Sequence, residues 1–206
     1  MTSLATRVEA SPVAPADAEA LAALFEREGC PCYCRYWHFA GTSKEWEARC
    51  AFERSKSRDE LLEAVRARSV EGEGLVARLA SRPGEIVGWL KLTPRAALTK
   101  LLARSPYKGL ADEPGAGAAA EVLAVGCLLI DPRERRHGIA RALVDAAIAE
   151  ARRSGARALE AYPRDAREPV HDAELWMGPR PVYDDAGFEA VRGDGGQYPV
   201  LRKRLE

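Results

Sequence analysis

At 206 residues and 47% hydrophobic, the chain is long enough to bury one substantial core and short for two, so one domain over residues 1–206 is expected. Lys plus Arg and Asp plus Glu each number 31, which argues against a nucleic-acid or membrane-surface binder and leaves room only for local basic patches. No stretch approaches the ~18 apolar residues of a spanning helix, and the first residues lack the apolar run of a signal peptide, so a cytoplasmic protein is expected.

In chain order, residues 7–10 alternate like a short strand, and Ser11-Pro12 ends it before a helix over about 14–28. Leu21, Leu24 and Phe25 form the apolar face of that helix, and Gly29 stops it. Cys30, Cys32 and Cys34 then share ten residues with Tyr33, Tyr36, Trp37 and His38. Thiolate plus imidazole suits zinc, but these Cys-x-Cys steps are tighter than the usual ligand gaps and no second cysteine pair follows, so no metal is expected. Small buried thiols beside aromatics are the ordinary reading, and a redox-sensing thiol is the other. Residues 43–70 read as two helices interrupted at Ser57-Arg58-Asp59-Glu60, with Ser57 and Glu60 as a capping box and Trp46, Phe52, Leu61, Leu62 and Val65 buried. Two β-rich runs, 75–80 and 85–92, flank the turn Ser81-Arg82-Pro83-Gly84 and make a hairpin. A short helix over 93–105 and a mobile, Pro- and Gly-rich connection over 106–117 lead to the most informative stretch.

That stretch opens with the apolar run Val122 to Ile130, short and well bounded, as in a buried strand. Asp131-Pro132 stops it, the basic loop Arg133 to Gly138 follows, and Ile139, Ala142, Leu143, Ala146 and Ala147 then recur on one face of a helix. The first turn of a helix has unpartnered N–H groups and the positive end of the dipole, where phosphate binds well. Gly138 allows close approach to the backbone, Ala140 keeps the turn slim, and Arg135, Arg136, His137 and Arg141 can donate charge-assisted bonds. Taken alone, the loop reads equally as a solvated basic turn. Farther on come a strand over 158–162, a long loop over 163–181 and a closing hairpin over 188–192 and 198–205.

Arg135-x-x-Gly138-x-Ala140, preceded by Ile130-Asp131-Pro132, resembles the acyl-CoA signature of the GNAT N-acetyltransferase superfamily. Tyr183-Asp184-Asp185-Ala186-Gly187-Phe188 is similar to that family's Tyr-x-x-x-Gly-Phe segment, and the two blocks together span about 121–190. The resemblance implies an α/β (α+β) GNAT fold: a mixed, mostly antiparallel sheet of six to seven strands, flanked by helices, with splayed central parallel strands. It makes residues 121–190 the acetyl-CoA-binding core and 30–70 a variable, helical acceptor side.

The resemblance also implies a cytoplasmic enzyme moving acetyl from acetyl-CoA, with no metal, to a primary amine of a small molecule; dimers are common in the family. Backbone groups of Leu128, Leu129 and Ile130 are expected to hold the pantetheine and thioester, and Arg135, Arg136, His137, Gly138, Ile139, Ala140 and Arg141 the diphosphate. Tyr183 matches the tyrosine that protonates the leaving thiolate. The general base stays open among Glu160, Glu121 and solvent, because Ala124 and Tyr162 stand where relatives place glutamates. Cys127 reads as a core thiol, and the aromatics of the cysteine cluster as one wall of an acceptor pocket. Two rival functions remain: a peptide or protein N-terminal acetyltransferase, and an acyl-CoA-binding or thiol-sensing module with little catalysis.

Overall fold

The computed structural model describes residues 7–110, 121–165 and 171–205. Seven strands form one sheet in the order β1-β2-β3-β4-β5-β7-β6: β1 Val8–Pro12, β2 Leu75–Leu79, β3 Gly88–Pro94, β4 Val122–Ile130, β5 Ala158–Ala161, β6 Glu189–Arg192 and β7 Val200–Arg204. Only β4 and β5 pair in parallel among these neighbours, so the expected mixed, mostly antiparallel sheet is what forms.

Alternation along the strands feeds two layers. Leu75, Ala77 and Leu79 of β2 pack with Ile139, Leu143, Val144, Ala147 and Ala151 of α5 (Ile139–Arg153) on one face. Val76 and Trp89 pack on the other with Leu21, Leu24 and Phe25 of α1 (Ala18–Glu28) and Leu61 and Val65 of α3 (Arg54–Arg66). Gly29, at φ 69°, ends α1 as its composition suggests.

The break in the 43–70 region is not where Ser57 and Glu60 suggested. Helix α2 (Ser43–Phe52) gives way to α3 at Glu53, and Ser57 lies inside α3, fully buried, accepting from Arg49 Nε at 3.1 Å. The capping box belongs to Thr42 and Glu45 instead: Glu45 N donates to Thr42 Oγ1 at 3.3 Å and Thr42 N to Glu45 Oε2 at 2.7 Å. Phe52, expected inside, is 86% exposed because it is the last residue of α2 and faces away from the core. Strand β3 runs on to Pro94, so the short helix begins late, as α4 (Thr99–Ala103). Most of the connection at 106–117 lies outside the described residues, although Tyr107 and Leu110 at its start are buried. The last helix, α6, is short (Arg180–Asp184).

One irregularity shapes everything near the site. In the β3–β4 ladder Lys91 faces Cys127 and Leu92 faces Val125, so Gly126 has no partner and forms a β-bulge. The bulge resets alternation: Val125 and Leu128 pack on the α5 face, while Cys127 and Leu129 pack on the α1 face. It also marks where β4 leaves β5. Pairing runs from Val122↔Ala158 to Val125↔Ala161 and stops, while β4 continues five residues to Ile130.

Candidate active site

At the end of β4 the chain turns sharply into α5. Asp131 is buried; its Oδ1 accepts from Arg133 N at 3.0 Å, and its Oδ2 from Arg133 Nη2 and Arg27 Nε, each at 2.8 Å. Those bonds, Arg133 foremost, hold its carboxyl well below the usual carboxylate range. Arg136 and Gly138 both take left-handed φ angles, 66° and 80°, which bring the backbone round to the helix start. No side chain caps α5, and its first intrahelical bond is Ala142 N to Gly138 O. The amides of Ile139, Ala140 and Arg141 are therefore left over for an anion. A Cβ at 138 would meet nothing within 4 Å, so the space in front of the turn is open.

The basic side chains contribute unequally. Arg135 is tied to Glu28, and Arg141 bonds Asp145 at 2.9 Å and the Asp185 carbonyl at 3.1 Å. Arg136 is exposed with no ion pair among the described residues, and His137 lies half-exposed, 3.7 Å from Glu134. Backbone plus Arg136 is the cradle that stands free.

Beyond the bulge, alternation turns the backbone groups of Leu128 and Ile130 toward the gap left by β5, and those of Leu129 toward β3, as Asp131 N donating to Val87 O confirms two residues on. Leu129, expected among the pantetheine-binding groups, thus has its amide in the β3 ladder. The gap itself is filled. Leu128 N donates to Trp176 O at 2.8 Å, and the Tyr183 hydroxyl donates to Met177 O at 2.6 Å. Gly178, at φ 84°, follows; a Cβ there would stand 2.7 Å from Tyr183 Oη and 2.9 Å from Leu128 Cδ2, so only glycine lets this wedge sit so deep. Tyr183 is fully buried, and burial raises its phenol far above the ordinary range.

Neither glutamate considered as a base reaches this place. Glu160 is fully buried with Oε1 accepting from Arg95 Nη1 (3.0 Å) and Arg202 Nε (2.9 Å), and Oε2 accepting from the Tyr162 hydroxyl (2.6 Å). Glu121 precedes the first residue of β4, near Arg157, and lies seven positions before Leu128, about 23 Å of extended strand. Cys127 is a core thiol hydrogen-bonded to that of Cys34; the bond, with burial adding to it, raises Cys127, and the same bond outweighs burial in bringing Cys34 down to about 7. The Cys30 and Cys32 sulfurs lie 3.2 Å apart, and all five cysteines are unbridged. Among the described residues no group of three His, Cys, Asp or Glu is arranged to hold a metal.

Beside the wedge lies a pocket of about 360 Å³, walled by Tyr36, Tyr107, Tyr162, Tyr198, Trp176 and Met177 with Arg104, Arg164 and Glu174. Of the aromatic cluster near the cysteines, Tyr36 reaches this pocket. Trp37 packs behind it on Trp176 (5.1 Å between rings) and donates to the bulge carbonyl of Gly126 at 2.6 Å, while Tyr33 stacks on Phe25 in the α1 core. Sequence reasoning missed Tyr107 and Trp176, which stand in segments read as connections, and Tyr198, which opens the last strand of the expected hairpin; the run Trp176-Met177-Gly178 just ahead of Tyr183 was the available signal. A larger concavity, about 750 Å³, lies over α2 and α3, but none of its lining residues belongs to β4, β5 or α5.

A mixed seven-stranded sheet, a bulged strand parting from its parallel neighbour and an uncapped helix start beyond it define an acyltransferase, and the comparisons agree. The acetyltransferase (GNAT) family matches residues 20–173, and the chain belongs to that family. The fold is similar along almost its whole length to solved structures of low sequence identity. The PaiA N-acetyltransferase of Thermoplasma acidophilum, in complex with coenzyme A, is 13% identical with a TM-score of 0.53, covering 97% of this chain and 99% of that one. A GNAT-family acetyltransferase of Streptococcus pneumoniae is 17% identical at 0.54, covering 97% and 100%, and one of Brucella melitensis in complex with acetyl-CoA is 16% identical at 0.51, covering 98% and 90%. No curated protein matches in sequence. No helix among the described residues is long and apolar enough to cross a membrane.

Proposed function

We propose that the protein moves an acetyl group from acetyl-CoA to a primary amine of a small molecule by direct attack, in the cytoplasm. One observation carries the reading: the Leu128 amide and the Tyr183 hydroxyl already hold backbone carbonyl oxygens, side by side in the gap between β4 and β5. A thioester carbonyl has the same acceptor chemistry as those of Trp176 and Met177. The groups present therefore fit acetyl-CoA, with the diphosphate at the amides of Ile139, Ala140 and Arg141 and the charge of Arg136, and the pantetheine along Leu128 and Ile130. Bound acetyl-CoA supplies the activated acetyl group.

The Leu128 amide then polarises the carbonyl as the amine nitrogen bonds to its carbon. As the C–S bond breaks, Tyr183 gives its proton to the departing sulfur; the nitrogen loses one proton to solvent, and Tyr183 is reprotonated from the same source. Buried as it is, the Tyr183 phenol is protonated and so holds the proton to be transferred. Glu160 takes no part, since both its oxygens are engaged. The five unbridged cysteines support a reducing compartment.

Acetyl-CoA at about 100 times its Kd is expected to stabilise the wild type by ~2.7 kcal/mol, or roughly 5–10 °C in Tm for a chain of this size. Gly138→Trp should abolish that shift by filling the open space before α5. A shift that survives in the variant, or no shift in the wild type at millimolar ligand, would end the proposal.

Trp176 and Met177 are at once the filling of the thioester place and a wall of the aromatic pocket. Cofactor must therefore enter before the acceptor site is complete, and initial-rate kinetics are expected to show ordered binding, acetyl-CoA first. A dead-end acceptor analogue should be uncompetitive against acetyl-CoA; competitive inhibition would contradict the order.

A further inference from the structure

We propose that the aromatic pocket is the acceptor site and that it selects amines carrying a carboxylate in the same small molecule; this rests on the acetyl transfer argued above. The location follows from the shared wall. An amine nitrogen at Trp176–Met177 is one residue's thickness from the Leu128 amide and the Tyr183 hydroxyl. At about 360 Å³ the pocket lies at the lower end of small-ligand sites and is lined by aromatic faces suited to an apolar body.

The charge selectivity follows from counting ionic groups at the rim and beneath the floor. At the rim, Arg164 is paired with Glu174, while Arg104 lies over the Tyr198 ring, 5.8 Å from its centroid, with no carboxylate partner among the described residues. Beneath the floor, the Tyr162 hydroxyl donates to Glu160, and that single carboxylate is shared by two buried guanidiniums, Arg95 and Arg202. Two donors of Arg95, Nε and Nη2, have no hydrogen-bond partner, although the side chain is 1% exposed. Among the described residues, Arg104 has no carboxylate of its own and Arg95 keeps two donors without a partner, so the surroundings of the pocket are positive. Such a site attracts an anion and repels a bare polyamine. Arg104 supplies the planar, charge-assisted donor that a carboxylate takes, with its guanidinium already oriented by the Tyr198 face.

The test uses the full chain with acetyl-CoA and three forms of each of several apolar and aromatic amino acids: the acid, its carboxamide and its decarboxylated amine. The acid is expected to exceed the other two in kcat/KM by about 10-fold or more, chiefly through KM, in line with one charge-assisted bond. Arg104→Gln should erase that preference, bringing kcat/KM for the acid down to that of its carboxamide, while acetyl-CoA still gives its thermal shift. Calorimetry of the same acceptors on protein loaded with desulfo-CoA reads binding without turnover and should show the same ranking. Equal binding of all three forms, no binding of any, or a preference that persists in Arg104→Gln would overturn the proposal. Absence of an acetyl-CoA shift together with carboxylate-selective binding to the free protein would instead overturn the transfer reading and keep the pocket assignment.

Discussion

Tyr183→Phe is expected to lower kcat by about 10-fold or more while acetyl-CoA still binds, the range usual for a positioned acid. The phenol is buried and donates to the Met177 carbonyl, the direction of donation that a leaving thiolate would need. Phenylalanine keeps the ring, which packs on Phe188 at 5.4 Å between centroids, so the fold should tolerate the change. The loss is expected in kcat rather than KM, because the bond to sulfur charge matters most as C–S cleaves. The measurement is steady-state kinetics alongside a thermal-shift titration. Unchanged turnover with intact binding would show that the hydroxyl serves packing alone.

Glu160→Ala is expected to cost about 3–5 kcal/mol of stability, since it strands Arg95 and Arg202, both buried, without their shared carboxylate. It also deprives the Tyr162 hydroxyl of its acceptor. Glu160→Gln keeps that acceptor and should be milder. Urea unfolding of the three proteins gives the comparison. A loss below roughly 1 kcal/mol in the alanine variant, accompanied by a large fall in kcat and a lost acidic limb in the pH–rate profile, would instead return Glu160 to the role of general base.

The central strand and helix were legible almost to the residue. An apolar run closed by Asp131-Pro132 has few alternatives to a buried strand, and Ile139 to Arg153 carries a clear helical period. Local signals misled where tertiary contacts outbid them. Ser57 with Glu60 has capping-box spacing, yet Arg49 claims the Ser57 hydroxyl and Arg35 and Arg49 claim the Glu60 carboxylate. The acid–base chemistry was legible only in part. Glu160 looked available because its arginine partners lie 65 and 42 residues away, and no spacing rule reports them. The bulge had a signal in Gly126, a glycine inside a strand pattern, but its consequence, that Leu129 turns away from the gap while Leu128 faces it, needed the β3 register. The wedge had less: nothing in a 19-residue loop says which of its carbonyls will find an amide.

The wedge bears on where affinity for acetyl-CoA originates. A buried amide without an acceptor costs about 1–3 kcal/mol, and the Trp176 carbonyl spares Leu128 that cost while the protein waits. In the proposed binding mode a thioester oxygen would take the place of that amide carbonyl, and being the weaker acceptor it would gain no net attraction at this donor. Net attraction would then come from the opposite end of the cofactor, where the uncapped Ile139 turn has nothing to give up, leaving the reacting end free to respond to charge only as it develops.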